Sequence, residues 1–182
     1  MYSEDDLISR CLKNDPRAHE DFYKRFAPRM YGVCMRFAKN QMEADDLLQE
    51  GFIKVFTNLS SFRNEGSLEG WVRRTVVNTA INLYKKNIKH LKDIDIEQAE
   101  FVQFSEPNSL DKISVEELLG LVRELPTGYR VVFNLNVIEG YSHKEISQLL
   151  EISENTSKSQ LSRARQALQK KLLDLNKEIF NE

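Results

Sequence analysis

The chain has 182 residues, with 28 Asp/Glu against 26 Lys/Arg, 41% hydrophobic content and 9% aromatics. That is apolar enough to fold and long enough for one domain or two small ones. No window approaches the roughly 18 consecutive apolar residues of a membrane span, and the acidic opening SEDD lacks the basic start of a secretory leader, so the expectation is a cytoplasmic protein without membrane insertion.

From the amino terminus, Ser3 begins a capping pattern ahead of Leu7, Ile8, Cys11 and Leu12. Asp15-Pro16 is an N-cap followed by proline at the first helical position, and Ala18, Phe22 and Phe26 follow in steps of four. Pro28 is expected to break the pattern and restart it, with Tyr31, Cys34, Phe37 and Ala38 as a third apolar face. Ala44, Leu47, Leu48, Val55 and Phe56 mark a fourth between Met42 and Leu59. Ser60 to Gly66 reads as a loop by its Ser, Asn and Gly content, and Leu68, Trp71, Val72, Val76, Ala80 and Leu83 predict one more long helix to about Ile88. Cys11 and Cys34 fall in apolar positions without CxxC spacing, which favours buried thiols over a disulfide or metal site.

Residues 92 to 112 hold six Asp/Glu and two Lys, together with Pro107-Asn108-Ser109, and show no sustained helical period. This predicts an extended acidic linker. After it, Ser114 with Glu117 forms a capping box before Leu118, Leu119, Val122 and Leu125, and Pro126 ends that helix. Arg130 to Ile138 alternates apolar residues with asparagines, a period of two that fits a strand as well as a helix. Helix is the expectation, because no partner strand is evident and a lone strand cannot satisfy its own backbone. The fold class that follows is all-α, with two small helical domains joined by an acidic linker: 1-90, 91-112 and 113-182.

The second domain carries the sharpest pattern. Ser142 and Glu145 form another capping box, Ile146, Leu149 and Leu150 give an apolar face, and Ser153 caps a further helix after a tight turn at Glu151-Ile152. Leu161, Ala164, Leu168 and Leu172 form its packing stripe. Thr156, Ser159, Arg163, Gln166 and Lys170 then project outward, with Gln160 and Ser162 to either side and Lys158 and Arg165 nearer the packing edge. Ser153 to Lys171 holds five Lys/Arg against one Glu. A capped helix pair whose second member is basic is a helix-turn-helix pattern suited to a major groove. The plainer alternative is a solvated helix face.

Asp45 to Phe56 (DDLLQEGFIKVF) and Asn58 to Lys86 (NLSSFRNEGSLEGWVRRTVVNTAINLYKK) resemble the second conserved region of bacterial RNA polymerase sigma factors of the extracytoplasmic function (ECF) group. The helix-turn-helix resembles their fourth region, and the two occur in the right order. The resemblance implies that Asp46, Gln49, Glu50 and Lys54 bind the clamp helices of core RNA polymerase. By spacing alone, Asp46, Gln49 and Glu50 share one helix face, which serves an interface or plain solvation equally well. The resemblance further implies that Ser60 to Leu68 forms a base-capturing loop for the minus-ten promoter element, with Phe62, Arg73, Arg74, Asn78, Lys85 and Lys86 contacting the opened strand. Trp71 is expected in the core. Minus-thirty-five promoter DNA falls to Thr156, Lys158, Ser159, Ser162 and Arg163. Two departures stand out: Glu151 replaces a common turn glycine, and Gln160 replaces a frequent arginine. The acidic linker is expected to mimic a nucleic-acid strand within the polymerase, and members of the group are often held inactive by an anti-sigma factor, which nothing in these residues locates.

His19, His90 and His143 are scattered, with no HExxH, GxSxG or Gly-rich phosphate loop. Neither enzymatic chemistry nor a cofactor is expected. Two rivals remain open, a helix-turn-helix transcription regulator without a melting role and a helical adaptor that does not bind DNA. Neither requires an acidic docking helix followed by an aromatic and basic strand-capture segment.

Overall fold

The computed structural model describes residues 3–91 and 114–180, and every element there is helical. The acidic linker expected between the domains lies outside the described residues. Two compact units part within the fourth helix, after Leu83.

In the first unit, α1 spans Glu4–Leu12, α2 Pro16–Phe37 and α3 Gln41–Asn58, with a 3₁₀ turn at Leu59–Ser61, and α4, Leu68–Leu91, begins there and ends in the second unit. Each of the first three begins on a side chain that accepts a free backbone N–H. Ser3 accepts from Asp6, Asp15 from Arg17 and Ala18, and Asn40 from Glu43. Asp15 also receives two bonds from Arg10, one of them from Nε at 2.8 Å, which ties the end of α1 to the start of α2.

Pro28 does not end its helix, contrary to the sequence expectation; α2 runs through it. An interior proline costs about 3 kcal/mol. Here Pro28 is exposed, as is Lys24 one turn before it, whose carbonyl loses its helical partner. Phe22, Phe26, Met30, Val33, Cys34 and Phe37 are all buried on the other side. At about 1.5–3 kcal/mol for each large buried side chain, that continuous stripe outweighs the proline.

Helices α2 and α3 pack along their lengths, and α4 crosses close to α3 at Gly51. A Cβ there would come within 3.1 Å of Val76 Cγ2, so the absence of a side chain sets the approach. Val72, Val76 and Val77 are buried on α4. Cys11 and Cys34 are free and buried. Burial pushes the Cys34 thiol up to about 12, and burial with the nearby Asp15 carboxylate raises Cys11 to about 11.

In the second unit, α5 spans Val115–Arg123, α6 Thr127–Phe133, α7 His143–Leu150 and α8 Glu154–Phe180. The capping box of α5 forms as the spacing suggests, with Ser114 accepting from the Glu117 N–H at 3.1 Å and Glu117 accepting from the Ser114 N–H at 2.7 Å. The ambiguous segment is a helix that widens: α6 passes into a π-helical stretch, Asn134–Ile138, closed by Glu139 N–H donating to the Asn134 carbonyl at 2.9 Å. Asn134 is fully buried and donates to the Arg130 carbonyl at 2.9 Å. An asparagine inside a helix core is what gave the sequence its misleading period of two. Arg130 is itself buried, and its Nη1 donates to the carbonyls of Arg123 (2.7 Å) and Leu125 (3.1 Å). A cation against the last carbonyls of α5 suits the negative end of that helix.

Candidate polymerase and nucleic-acid interfaces

The first surface is the outer side of α3. Asp46, Gln49 and Glu50 are exposed on it, while Lys54 is half-buried and paired with Glu50 at 2.9 Å one turn away. Beneath lies an aromatic bed in which Phe22, Phe26, Phe52 and Phe56 are linked by ring separations of 4.7 to 6.1 Å. Rings packed in this way fix α3 against α2.

The second surface surrounds the loop between the 3₁₀ turn and α4. Ser61, Phe62, Arg63, Glu65, Gly66, Ser67, Gly70, Trp71 and Arg74 line an open pocket there. Ser67 accepts from the Gly70 N–H at 3.1 Å and starts α4. Asn64 and Gly66 have φ of 59° and 126°, conformations favoured by asparagine and glycine, and they let the chain turn tightly ahead of α4. Trp71 is not in the core, as the sequence reading expected. It is half-buried, with its ring centroid 5.7 Å from that of Phe62. Its position on α4 falls one residue before the buried Val72, so helical spacing alone could not separate the wall of a pocket from the core.

Along α4 the exposed positions recur in steps of four, at Gly70, Arg74, Asn78, Asn82 and Lys86. Two of the expected strand contacts, Arg74 and Asn78, therefore neighbour one another on the open side of the first unit, and Arg74 also reaches the pocket. Arg73 is half-buried in the first unit, while Lys85 is half-buried and Lys86 exposed in the second. The sequence reading overlooked Asn82, and it covered Arg63 and Glu65 only as part of the loop Ser60 to Leu68. Their signal was the four-residue recurrence in one case and the loop's own composition in the others.

The third surface is the helix-turn-helix. Ser142 accepts from the Glu145 N–H at 3.2 Å, and the Glu145 carboxylate accepts from both the hydroxyl (2.7 Å) and the N–H (2.8 Å) of Ser142. The Ser142 hydroxyl and then its N–H hold Glu145 below the usual carboxylate pKa. Glu151 occupies the turn with φ 57° and ψ 42°, so the turn keeps left-handed geometry without glycine. Its closure is completed by the Ile152 N–H on the Ser147 carbonyl at 3.1 Å. Ser153 then accepts from the Thr156 N–H at 2.9 Å and caps α8.

Helix α8 is rotated relative to the projection from apolar spacing. Ser157 is completely buried, along with Leu161 and Ala164, and its hydroxyl meets His143 Nδ1 at 2.9 Å. A serine therefore belongs to the packing stripe, which hydropathy could not reveal. The outward face is consequently Asn155, Lys158, Ser159, Ser162 and Arg165, all exposed. Lys158 and Arg165 are not near the packing edge. Thr156 and Arg163 are half-buried, and Arg163 reaches the Tyr129 hydroxyl at 3.5 Å. Gln160 turns inward, where a Cβ on Gly128 would lie 3.2 Å from its amide nitrogen.

The chain matches the Sigma-70 region 2 family over residues 22–89 and the Sigma-70, region 4 family over residues 115–168. It is 30% identical over 179 residues to the ECF RNA polymerase sigma factor SigW of Bacillus subtilis, covering 92% of this chain and 96% of that one. It is 29% identical over 185 residues to the RNA polymerase sigma-H factor of Pseudomonas aeruginosa, covering 94% and 95%. Among solved structures, the sigma factor RpoE of Bartonella quintana, crystallised with the anti-sigma factor NepR, shares the fold at a TM-score of 0.51 and 20% identity, over 84% of this chain and 95% of that one.

Proposed function

The chain belongs to the ECF group of RNA polymerase sigma factors, which bind core polymerase and direct promoter recognition and initiation without chemistry of their own, and from that premise we propose how its surfaces divide the work. Residues 1-90 form the domain that docks on core polymerase and handles the minus-ten element. Residues 113-182 form the domain that reads the upstream element, and the acidic segment 91-112 connects them. The protein acts in the cytoplasm, where core polymerase works.

Core polymerase docks on α3 through Asp46, Gln49 and Glu50, with Lys54 holding Glu50 in place. The pocket beside Phe62 and Trp71 receives a base of the opened strand. Unstacking a base costs a few kcal/mol, and stacking on an aromatic returns about 1–3 kcal/mol. Arg73, Arg74, Lys85 and Lys86 neutralise phosphates of the same strand, and Asn78 offers a base an amide that both donates and accepts. Upstream, Lys158, Ser159 and Ser162 enter the major groove, with Thr156 and Arg163 at the margin.

The observation that carries this reading is the paired aromatic wall at the mouth of α4, open to solvent, with Arg74 on its rim and Asn78 exposed one turn beyond. The test is a reconstituted holoenzyme footprinted on a promoter. Lys158→Ala is expected to weaken upstream protection and reduce the slope of log affinity against log salt by about one, while strand opening on a saturated template persists. An unchanged salt slope would remove Lys158 from the DNA. An anti-sigma factor is a further partner expected of the group, and copurification before and after stress would reveal it.

A further inference from the structure

Four polar side chains are buried among the described residues, those of Thr79, Arg130, Asn134 and Ser157. The first three donate to backbone carbonyls. Ser157 meets an imidazole instead, with its Oγ 2.9 Å from Nδ1 of His143. His143 opens α7 and Ser157 lies in the first turn of α8, so this bond joins the starts of the two helices of the helix-turn-helix.

The rest of that contact has little direction. Ile146 and Leu150 on α7 and Leu161 and Ala164 on α8 are buried, and apolar burial changes little when one helix turns slightly on another. Helix α6 also packs on α8, but the polar contact there, Arg163 to the Tyr129 hydroxyl, is 3.5 Å long, too long to fix an angle. A hydrogen bond of 2.9 Å holds over a narrow range of distance and direction, and breaking it leaves a fully buried hydroxyl without a partner.

Base reading depends on that angle. Lys158, Ser159 and Ser162 follow Ser157 on the exposed face. A turn of α8 by about 20° carries side-chain tips, about 6 Å from the axis, through about 2 Å, more than a hydrogen bond to a base edge survives. The flexible stem of a lysine on a phosphate follows the same movement with little loss.

We propose that His143 is a positioning residue for promoter specificity: through Ser157 it fixes the rotation of α8 and so sets which base edges Ser159 and Ser162 meet. The proposal rests on the reading of α8 as the upstream recognition helix.

The experiment forms holoenzyme from the full chain and compares its affinity for a promoter it serves with that for the same promoter carrying a scrambled upstream element. The ratio reads specificity. Ser157→Ala and His143→Ala should each lower it about tenfold, as the loss of one base contact implies, with an unchanged salt slope because every cation on α8 remains. The double variant should lower it no further, since either change removes the same bond. Circular dichroism melting of Ser157→Ala should stay close to wild type, alanine being the better helix former. His143→Asn places an amide where Nδ1 stood and should keep the wild-type ratio, whereas the amide of His143→Gln reaches past that point and should not. This pair carries the test if an alanine variant melts early. Wild-type ratios in both alanine variants, losses that multiply in the double variant, or equal behaviour of the Asn and Gln variants would overturn the proposal. So would a loss confined to His143→Ala with a flatter salt slope, which assigns the imidazole to a phosphate. If wild-type holoenzyme binds both promoters alike, α8 is not the upstream reader and the proposal falls with that reading.

Discussion

Glu151 holds a left-handed conformation, φ 57° and ψ 42°, that costs an L-residue about 1–2 kcal/mol. Glu151→Gly is expected to stabilise the second unit by only about 0.5 kcal/mol, after the added freedom of the unfolded glycine and the lost ion pair with Lys85 are subtracted; differential scanning calorimetry would check this, and a lower melting temperature would contradict it. The sequence showed that glycine was missing there. It could not show that the chain would accept the strain rather than reshape the turn. Ser157 and Trp71 were illegible for a related reason, since burial of a serine depends on a hydroxyl partner 14 positions away at His143. The position of Trp71 at a pocket mouth depends on where the loop before α4 turns. The cysteines, by contrast, were readable from their apolar spacing. With thiols raised to about 11 and about 12, neither Cys11 nor Cys34 is expected to react with a disulfide reagent at pH 8 until denaturant is added, and rapid labelling of the native chain would refute that.

Helix caps are the elements the sequence expressed most clearly. Ser3, Asp15, Ser114 and Ser142 all cap where their spacing placed them, because a cap is a local hydrogen bond needing only residues three apart. Pro28 was misread because its effect is decided by packing along the whole of α2. The two capping boxes also imply a pH dependence. The Ser114 N–H and then its hydroxyl lower Glu117, and the Ser142 hydroxyl and then its N–H lower Glu145, both from an ordinary value of 4.5. A lowered carboxylate pKa contributes stability above 4.5 that is lost as pH falls through the folded-state value. Glu145→Gln is therefore expected to make the melting temperature less sensitive to pH below 4.5, as followed by circular dichroism. A Ser142→Ala change should cost about 1 kcal/mol at neutral pH, and equal melting temperatures would show that the box carries no stability.

For the molecule as a whole, the all-helical class and the helix-turn-helix were present in residue order and spacing, and the sigma-factor family in the resemblance carried by Asp45 to Lys86 and by the helix-turn-helix. The rotation of α8 was not, because it depends on which residues the neighbouring helices leave uncovered. In the function we propose, one domain opens and holds promoter DNA while the other reads it upstream. The direct measurement places 2-aminopurine in the minus-ten non-template strand and follows its fluorescence as reconstituted holoenzyme binds. The wild-type chain should give a rapid rise as the base unstacks. Phe62→Ala with Trp71→Ala should bind the promoter with undiminished upstream protection, yet show an amplitude reduced about tenfold, as the loss of one stacking contact implies. Opening of wild-type amplitude by that double variant would contradict the assignment of the pocket.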